Sequence, residues 1–290
     1  MTKLLVTNNT PKIAIETITP QVAATLLGTM TTNRPLRKRA VNQYARDMIA
    51  GRWLLNGEAI KVDRSGRLID GQHRLSAVMA AKASVSMLVV RGVDESAMIT
   101  LDTGVARSFN DVATIAGKSY ARSLGPIARW WFKYQSGSPT VNYSPTHQEI
   151  DAILVAHPVI EDSAGFIYRH KTLRMDCVAS VQGFVHAYAA ERYDREMADT
   201  FMQDLNDGAS LGKTDPIYLL RKRLVEDHRA TLESSHVLAL TIKAWNAWLA
   251  GEKIANLRWV TGGQAPEDFP RFSIDLAKPK AYRTRARQTA

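Results

Sequence analysis

The chain has 290 residues, 45% of them hydrophobic and 23% charged, which is enough for one large domain or two smaller ones with real cores. No apolar run approaches the roughly 20 residues needed to span a bilayer, and the first ten residues hold too little apolar character for a secretory signal, so no membrane partner and a cytoplasmic location are expected. The single cysteine, Cys177, excludes an intrachain disulfide, while a net charge of +10 and a pI near 9.7 favour anionic partners, nucleic acid or nucleotide.

Residues 12–26 predict an extended entry and then a short helix that opens at Thr19-Pro20. Between Arg37 and Ala50, the positions Val41, Tyr44, Ala45, Met48 and Ile49 recur at helical spacing, and Gly51 supplies a natural stop. Glu58–Asp63 alternates as a strand with Ile60 and Val62 on one face, Asp63–Gly66 is a turn, and Leu68-Ile69 begins a short return strand. A helix then covers about Gln72 to Ala81, followed by a β-branched strand at Val85–Arg91 and another helix from Glu95 to Leu101. After Ser108 the pattern is helical almost throughout, with helices expected near 109–116, 119–136, 147–156, 159–168, 173–192, 194–206, 216–227 and 233–250. Thr146 and Glu149 form a capping box at the head of one of these. The expected organisation is therefore α+β: a small mixed-sheet domain over residues 1–107, a mostly α-helical domain over 108–270, and a basic tail over 271–290.

Chemistry concentrates in Asp70-Gly71-Gln72-His73-Arg74-Leu75-Ser76-Ala77. A strand, a glycine and a helix N-terminus present backbone N–H groups and a partial positive charge, and glycine lets an anion come close. Arg74 in the first turn adds a bidentate donor for phosphate, His73 a hydrogen bond or a proton, Ser76 a hydroxyl, and Asp70 a ligand for a divalent metal that bridges phosphates. Asp70 as a simple helix cap and His73-Arg74 as a solvated face remain the plain alternatives. Two further polar sets lie near in sequence. Glu58 starts the strand expected beside Asp70 and is a candidate general base or metal ligand, or else a solvated turn residue. Asp102 and Arg107 either complete the ligand site or pair with each other.

These residues resemble the ParB/sulfiredoxin superfamily over residues 12–107, in particular its Asp-Gly-Gln-His-Arg branch found in many phage and plasmid proteins. Gly71, Arg74 and Ala77 match the partition-type box that grips the triphosphate of CTP, whereas Gln72 and His73 depart from it. Gly71, His73 and Arg74 match the sulfiredoxin box, but Gln72 stands where that chemistry needs its cysteine. The resemblance implies a small mixed-sheet fold that binds Mg²⁺ and a nucleoside triphosphate through Gly71, Gln72, Arg74, Ser76, Asp102 and Arg107. It leaves Asp70 to the metal and Glu58, His73 or Asp70 to any proton or phosphoryl transfer. The expected function is a DNA-associated, nucleotide-binding protein, hydrolysing its ligand or not, and compatible with a homodimer. A metal-dependent nuclease, a non-catalytic DNA-binding regulator and a small-molecule kinase are the competing classes.

Several features of the second half look functional and have plainer structural explanations. Gly208-Ala-Ser-Leu-Gly-Lys-Thr214 fails as a phosphate loop, because only three residues separate its glycines; Gly208 ends one helix and Asp215-Pro216 starts the next. The aromatics Trp130, Trp131, Phe132, Tyr134, Trp245, Trp248 and Trp259 suit core packing better than base stacking. The helices on either side of His157-Pro158 lack the glycine turn of a helix-turn-helix, and the histidines have no metal-ligand spacing.

Overall fold

The computed structural model describes residues 10–31, 35–95, 108–137, 139–140, 144–170, 176–208, 211–226, 233–262 and 264–273, with backbone alone at 176–178 and 226. The expected helix at 95–101 (beyond Glu95), Asp102, Arg107, Arg34, the side chain of Cys177 and the basic tail after Ser273 lie outside these residues. The chain divides into two compact units, Met1–Ala106 and Arg107–Ala290.

The first unit contains a four-stranded mixed sheet in the order β1-β4-β2-β3. Its elements are β1 (Lys12–Ile18), α1 (Pro20–Gly28), α2 (Lys38–Ile49), β2 (Ala59–Asp63), β3 (Leu68–Asp70), α3 (Gln72–Ala81) and β4 (Val85–Val93). β2 and β3 form an antiparallel hairpin, β4 returns through α3 to lie parallel to β2, and β1 pairs antiparallel with β4 at the far edge. Side chains alternate across the sheet. Ile60 and Val62 of β2 share a face with Met87 and Val89 of β4, and bury it against Ala23, Leu26, Val41, Ala45, Met48, Leu75 and Val78 of the three helices. Opposite parity puts Lys61 of β2 and Val90 of β4 on the other face, beside the exposed Ile13 and Ile15 of β1.

Local signals explain most boundaries. Thr19 caps α1, its Oγ1 accepting from Val22 N at 3.2 Å, with Pro20 in the first turn. Gly51 has φ +67° just past the end of α2. The β2–β3 turn is fixed by Asp63, whose buried carboxylate accepts from Ser65 N and Oγ and from Arg67 N and Nε at 2.7–2.9 Å. Burial alone would raise the Asp63 pKa; these donors overcome it and hold the carboxyl at about 2. The helical stripe of α2 is narrower than its sequence spacing implied. Val41, Ala45 and Met48 are buried, but Tyr44 and Ile49 face outward, because the sheet and α3 cover only one side of this helix.

The second unit holds eight helices among its described residues: α4 (Phe109–Ile115), α5 (Ala121–Gln135), α6 (His147–Ala156), α7 (Val159–Arg169), α8 (Asp176–Arg192), α9 (Arg195–Asp207), α10 (Pro216–Glu226) and α11 (Ser234–Leu249). Capping boxes open α4 (Ser108 with Asp111) and α6 (Thr146 with Glu149). Gly208, at φ +68°, ends α9, and Pro216 starts α10, so the phosphate-loop look-alike is a break between two helices. The aromatics expected in the core are there: Trp131 and Trp245 are fully buried, and Tyr134, Tyr188 and Phe272 pack ring to ring. Phe272 belongs to this core rather than to a tail, and the exposed Arg271 is tied to it. Arg271 Nη1 donates to Tyr134 O at 2.8 Å, Phe272 N donates to Tyr134 Oη at 2.9 Å, and Tyr193 Oη donates to Ser273 O at 2.6 Å. No described helix is long and apolar enough to cross a membrane.

Candidate functional site

The junction of β3 and α3 has no spare residue. β3 ends at Asp70, α3 starts at Gln72, and Gly71 makes the whole turn at φ +110°. Two constraints require glycine there. That φ is strained for any side chain, and a Cβ would overlap the Cδ1 of Ile60 in the core beneath. The turn leaves the helix without a side-chain cap, so its leading N–H groups meet no protein acceptor from an N-cap side chain. Gly71 O is used internally, accepting from Leu75 N at 3.0 Å.

Around this uncapped end the side chains form a charge cluster. β2 and β3 pair Lys61 with Asp70 in register, and Lys61 Nζ lies 2.7 Å from Asp70 Oδ2. Arg74, one turn into α3, brings Nη2 to 3.4 Å from the same oxygen and donates to Ala59 O at 3.0 Å. Its Nη1 is buried with no hydrogen-bond partner. An unmatched guanidinium donor away from water costs free energy on the order of 1–3 kcal/mol, which an anion would relieve.

The structure gathers Asp70, Gly71, Gln72, His73 and Arg74 at this junction and changes the expected roles of two of them, Asp70 and His73. Asp70 was expected as a metal ligand or a helix cap; Gly71 takes the cap position, and the Asp70 carboxylate is held between two cations. Among the described residues no group of three or more His, Cys, Asp or Glu side chains could hold a metal ion. The donor set at Asp70, an acid shared by Lys61 and Arg74, fits an anion beside the cations better than a divalent cation on the acid. His73 was expected to move protons, but it is buried and its Nε2 accepts from the backbone N–H of Arg37 at 3.0 Å. It therefore ties the start of α3 to the chain entering α2. Glu58 is exposed, and its backbone N–H donates to Asn56 Oδ1 at 3.1 Å. It stands next to Ala59, whose carbonyl Arg74 holds, so its backbone is fixed at the rim of the cluster. Gln72 is buried and Ser76 half-buried, one turn farther along α3.

Sequence reading missed Lys61 and Ala59. Lys61 was detectable: it is the polar residue between Ile60 and Val62, and hairpin register sets it opposite Asp70. The Ala59 carbonyl carried no sequence signal, since any residue there offers one.

A second polar centre in the helical unit was also missed. Ser163 of α7, His186 of α8 and Asp199 of α9 form a chain of contacts, with Ser163 Oγ 2.8 Å from His186 Nδ1 and His186 Nε2 2.7 Å from Asp199 Oδ1. Arg195 Nε donates to the same Asp199 oxygen at 2.8 Å. Burial pushes the His186 pKa down to about 4 against the upward pull of Asp199, so the ring is neutral near pH 7. A carboxylate only accepts, so Nε2–H donates to Asp199 and Nδ1 accepts from the Ser163 hydroxyl. The polarity is that of a nucleophile triad, but Ser163 and His186 have no exposed surface and Phe166 stacks on the imidazole at 4.4 Å. No substrate reaches Ser163 Oγ, so this is an interior cross-link of three helices.

No family model, curated protein or solved structure matches this chain.

Proposed function

We propose that the N-terminal unit is a ParB/sulfiredoxin-type domain that binds a nucleoside triphosphate or a related phosphate ester at the head of α3, followed by a helical domain, in a DNA-associated cytoplasmic protein. One observation carries the phosphate reading: the uncapped N-terminus of α3 together with the buried Nη1 of Arg74 that lacks a partner. A phosphate oxygen is an acceptor that would meet the unmatched Arg74 Nη1, at a helix head whose partial positive charge favours an anion. Asp70 and Lys61 set the position of the guanidinium, and His73 holds the helix end against the segment before α2. Glu58, exposed and next to the Ala59 carbonyl that Arg74 holds, is our candidate to take a proton if the ligand is hydrolysed. The net charge of +10 supports the association with DNA.

The test is a binding screen with the four labelled ribonucleoside triphosphates and with inorganic pyrophosphate, in the presence of Mg²⁺. Binding that falls at least tenfold in Arg74→Ala, and is partly kept in Arg74→Lys, is the expected result. Absence of binding in the wild type, or unchanged affinity in Arg74→Ala, overturns the proposal.

A further inference from the structure

The helical unit carries a groove where α4, α5 and α7 meet. One cavity of about 620 Å³ is lined by Asn110, Thr114, Tyr120, Arg122 and Tyr168, among others. A second of about 500 Å³ shares Arg122, Ser123 and Tyr168 with it and continues toward Ser180 of α8. Each has the size of a site for a small ligand.

Three observations distinguish this groove from ordinary packing. Tyr120 takes φ +54° as the residue before α5, an uncommon conformation for a bulky side chain. Its ring lies over Gly165 of α7, where a Cβ would come within 2.8 Å of it. Tyr168 stands beside it, ring centroids 5.4 Å apart, and is 69% exposed, whereas the other large aromatics of this unit are mostly buried. Arg122 lines both cavities and Arg169 follows Tyr168 on α7, its Nη1 3.3 Å from where a Cβ on Gly165 would sit; both are exposed and have no ion-pair partner among the described residues. The nearby acids are engaged: Asp111 accepts from Ser108 N and Oγ, and Glu161 lies 4.0 Å from Lys118.

We propose that this groove binds single-stranded nucleic acid, with a base stacked on the exposed ring of Tyr168 beside Tyr120 and the adjoining phosphates on Arg122 and Arg169. An exposed aromatic flanked by unpaired arginines offers what an unstacked strand supplies, a π-face between phosphates. A duplex keeps its base faces covered and gains nothing from Tyr168. The α3 residues take no part in this site.

The test uses the full chain and a fluorescein-labelled oligothymidylate of twelve nucleotides, followed by anisotropy at several salt concentrations. Expected results are binding by the wild type, a loss of roughly tenfold in Tyr168→Ala, and retention within about twofold in Tyr168→Phe. Arg122→Ala should weaken binding and make the log–log salt slope shallower by about 0.7. Failure of the wild type to bind, equal affinity of Tyr168→Ala, or equal competition by a duplex of the same length overturns the proposal. Equal competition by duplex would leave the DNA association intact and remove only the single-strand groove; nucleotide binding at α3 is read separately and is unaffected by any of these results.

Discussion

The two polar centres of this protein look alike in composition and differ in completeness. At the β3–α3 junction, Asp70, His73 and Arg74 sit where elements end, beside Lys61 in the middle of β2, and one guanidinium nitrogen has no acceptor. In the helical unit, Ser163, His186 and Asp199 sit on the flanks of three helices, with Arg195 at the start of the third, and each contact is met in a consistent direction. A buried polar group must be matched from inside the protein or from outside it. The helical relay is matched from inside and behaves as a cross-link; the junction leaves Arg74 Nη1 unmatched, which is the ground of the proposed phosphate site. Element ends supply unpaired backbone donors, whereas the middle of a packed helix has none to offer.

The strongest way to break this contrast is Gly71→Ala. The added Cβ meets Ile60, and the backbone must leave φ +110°, so a destabilisation of roughly 3 kcal/mol and loss of phosphate binding are expected from denaturant titration and the nucleotide screen. Survival of both would mean that the turn is not the cradle.

Next comes the pH dependence of the helical relay. His186 takes up a proton at about pH 4 when folded and near 6.5 when unfolded. The unfolded state therefore binds the extra proton between these values, and stability present above pH 6.5 is lost as pH falls toward 4, by roughly 3 kcal/mol. Denaturation midpoints measured across this range should slope in the wild type and flatten in His186→Gln. Asp63 provides a separate window in the first unit. Its depressed pKa contributes stability that is present above about pH 4 and lost as pH falls through about 2.

Asp70→Asn separates two roles for the junction acid. If Asp70 restrains Arg74 and Lys61, its neutralisation costs about 1–2 kcal/mol of stability and tightens phosphate binding a few fold, because the internal counter-charge is removed. A metal-ligand role predicts instead the loss of any Mg²⁺-dependent binding. The smallest effect is expected at Tyr168→Ala, which should alter stability by less than about 0.5 kcal/mol because the ring is already mostly in water. A larger change in melting temperature would mark Tyr168 as packing.

Much of the helical layout was legible along the chain. The capping box at Thr146, the break at Gly208–Pro216 and the stop at Gly51 are local devices whose causes lie within four residues of their effects. The buried aromatics were legible for the same reason, since a helix that repeats large apolar residues has to cover them. Asp70 and His73 were harder. Both belong to a conspicuous polar motif, yet their partners, Lys61 and the N–H of Arg37, come from 9 and 36 residues away. The Ser163–His186–Asp199 relay had no motif, because three separate helices contribute one residue each.

The sequence by itself determined the alternation of strands and helices, the charge, and the place where a strand, a glycine and a helix start must meet, all of which follow from short-range sterics and hydrogen bonding. Only the tertiary structure decided which polar groups find partners. Asp70 becomes a restraint on two cations, His73 a tether, and Arg74 the donor with one bond unmade, because burial and pairing depend on what distant segments bring to the same point.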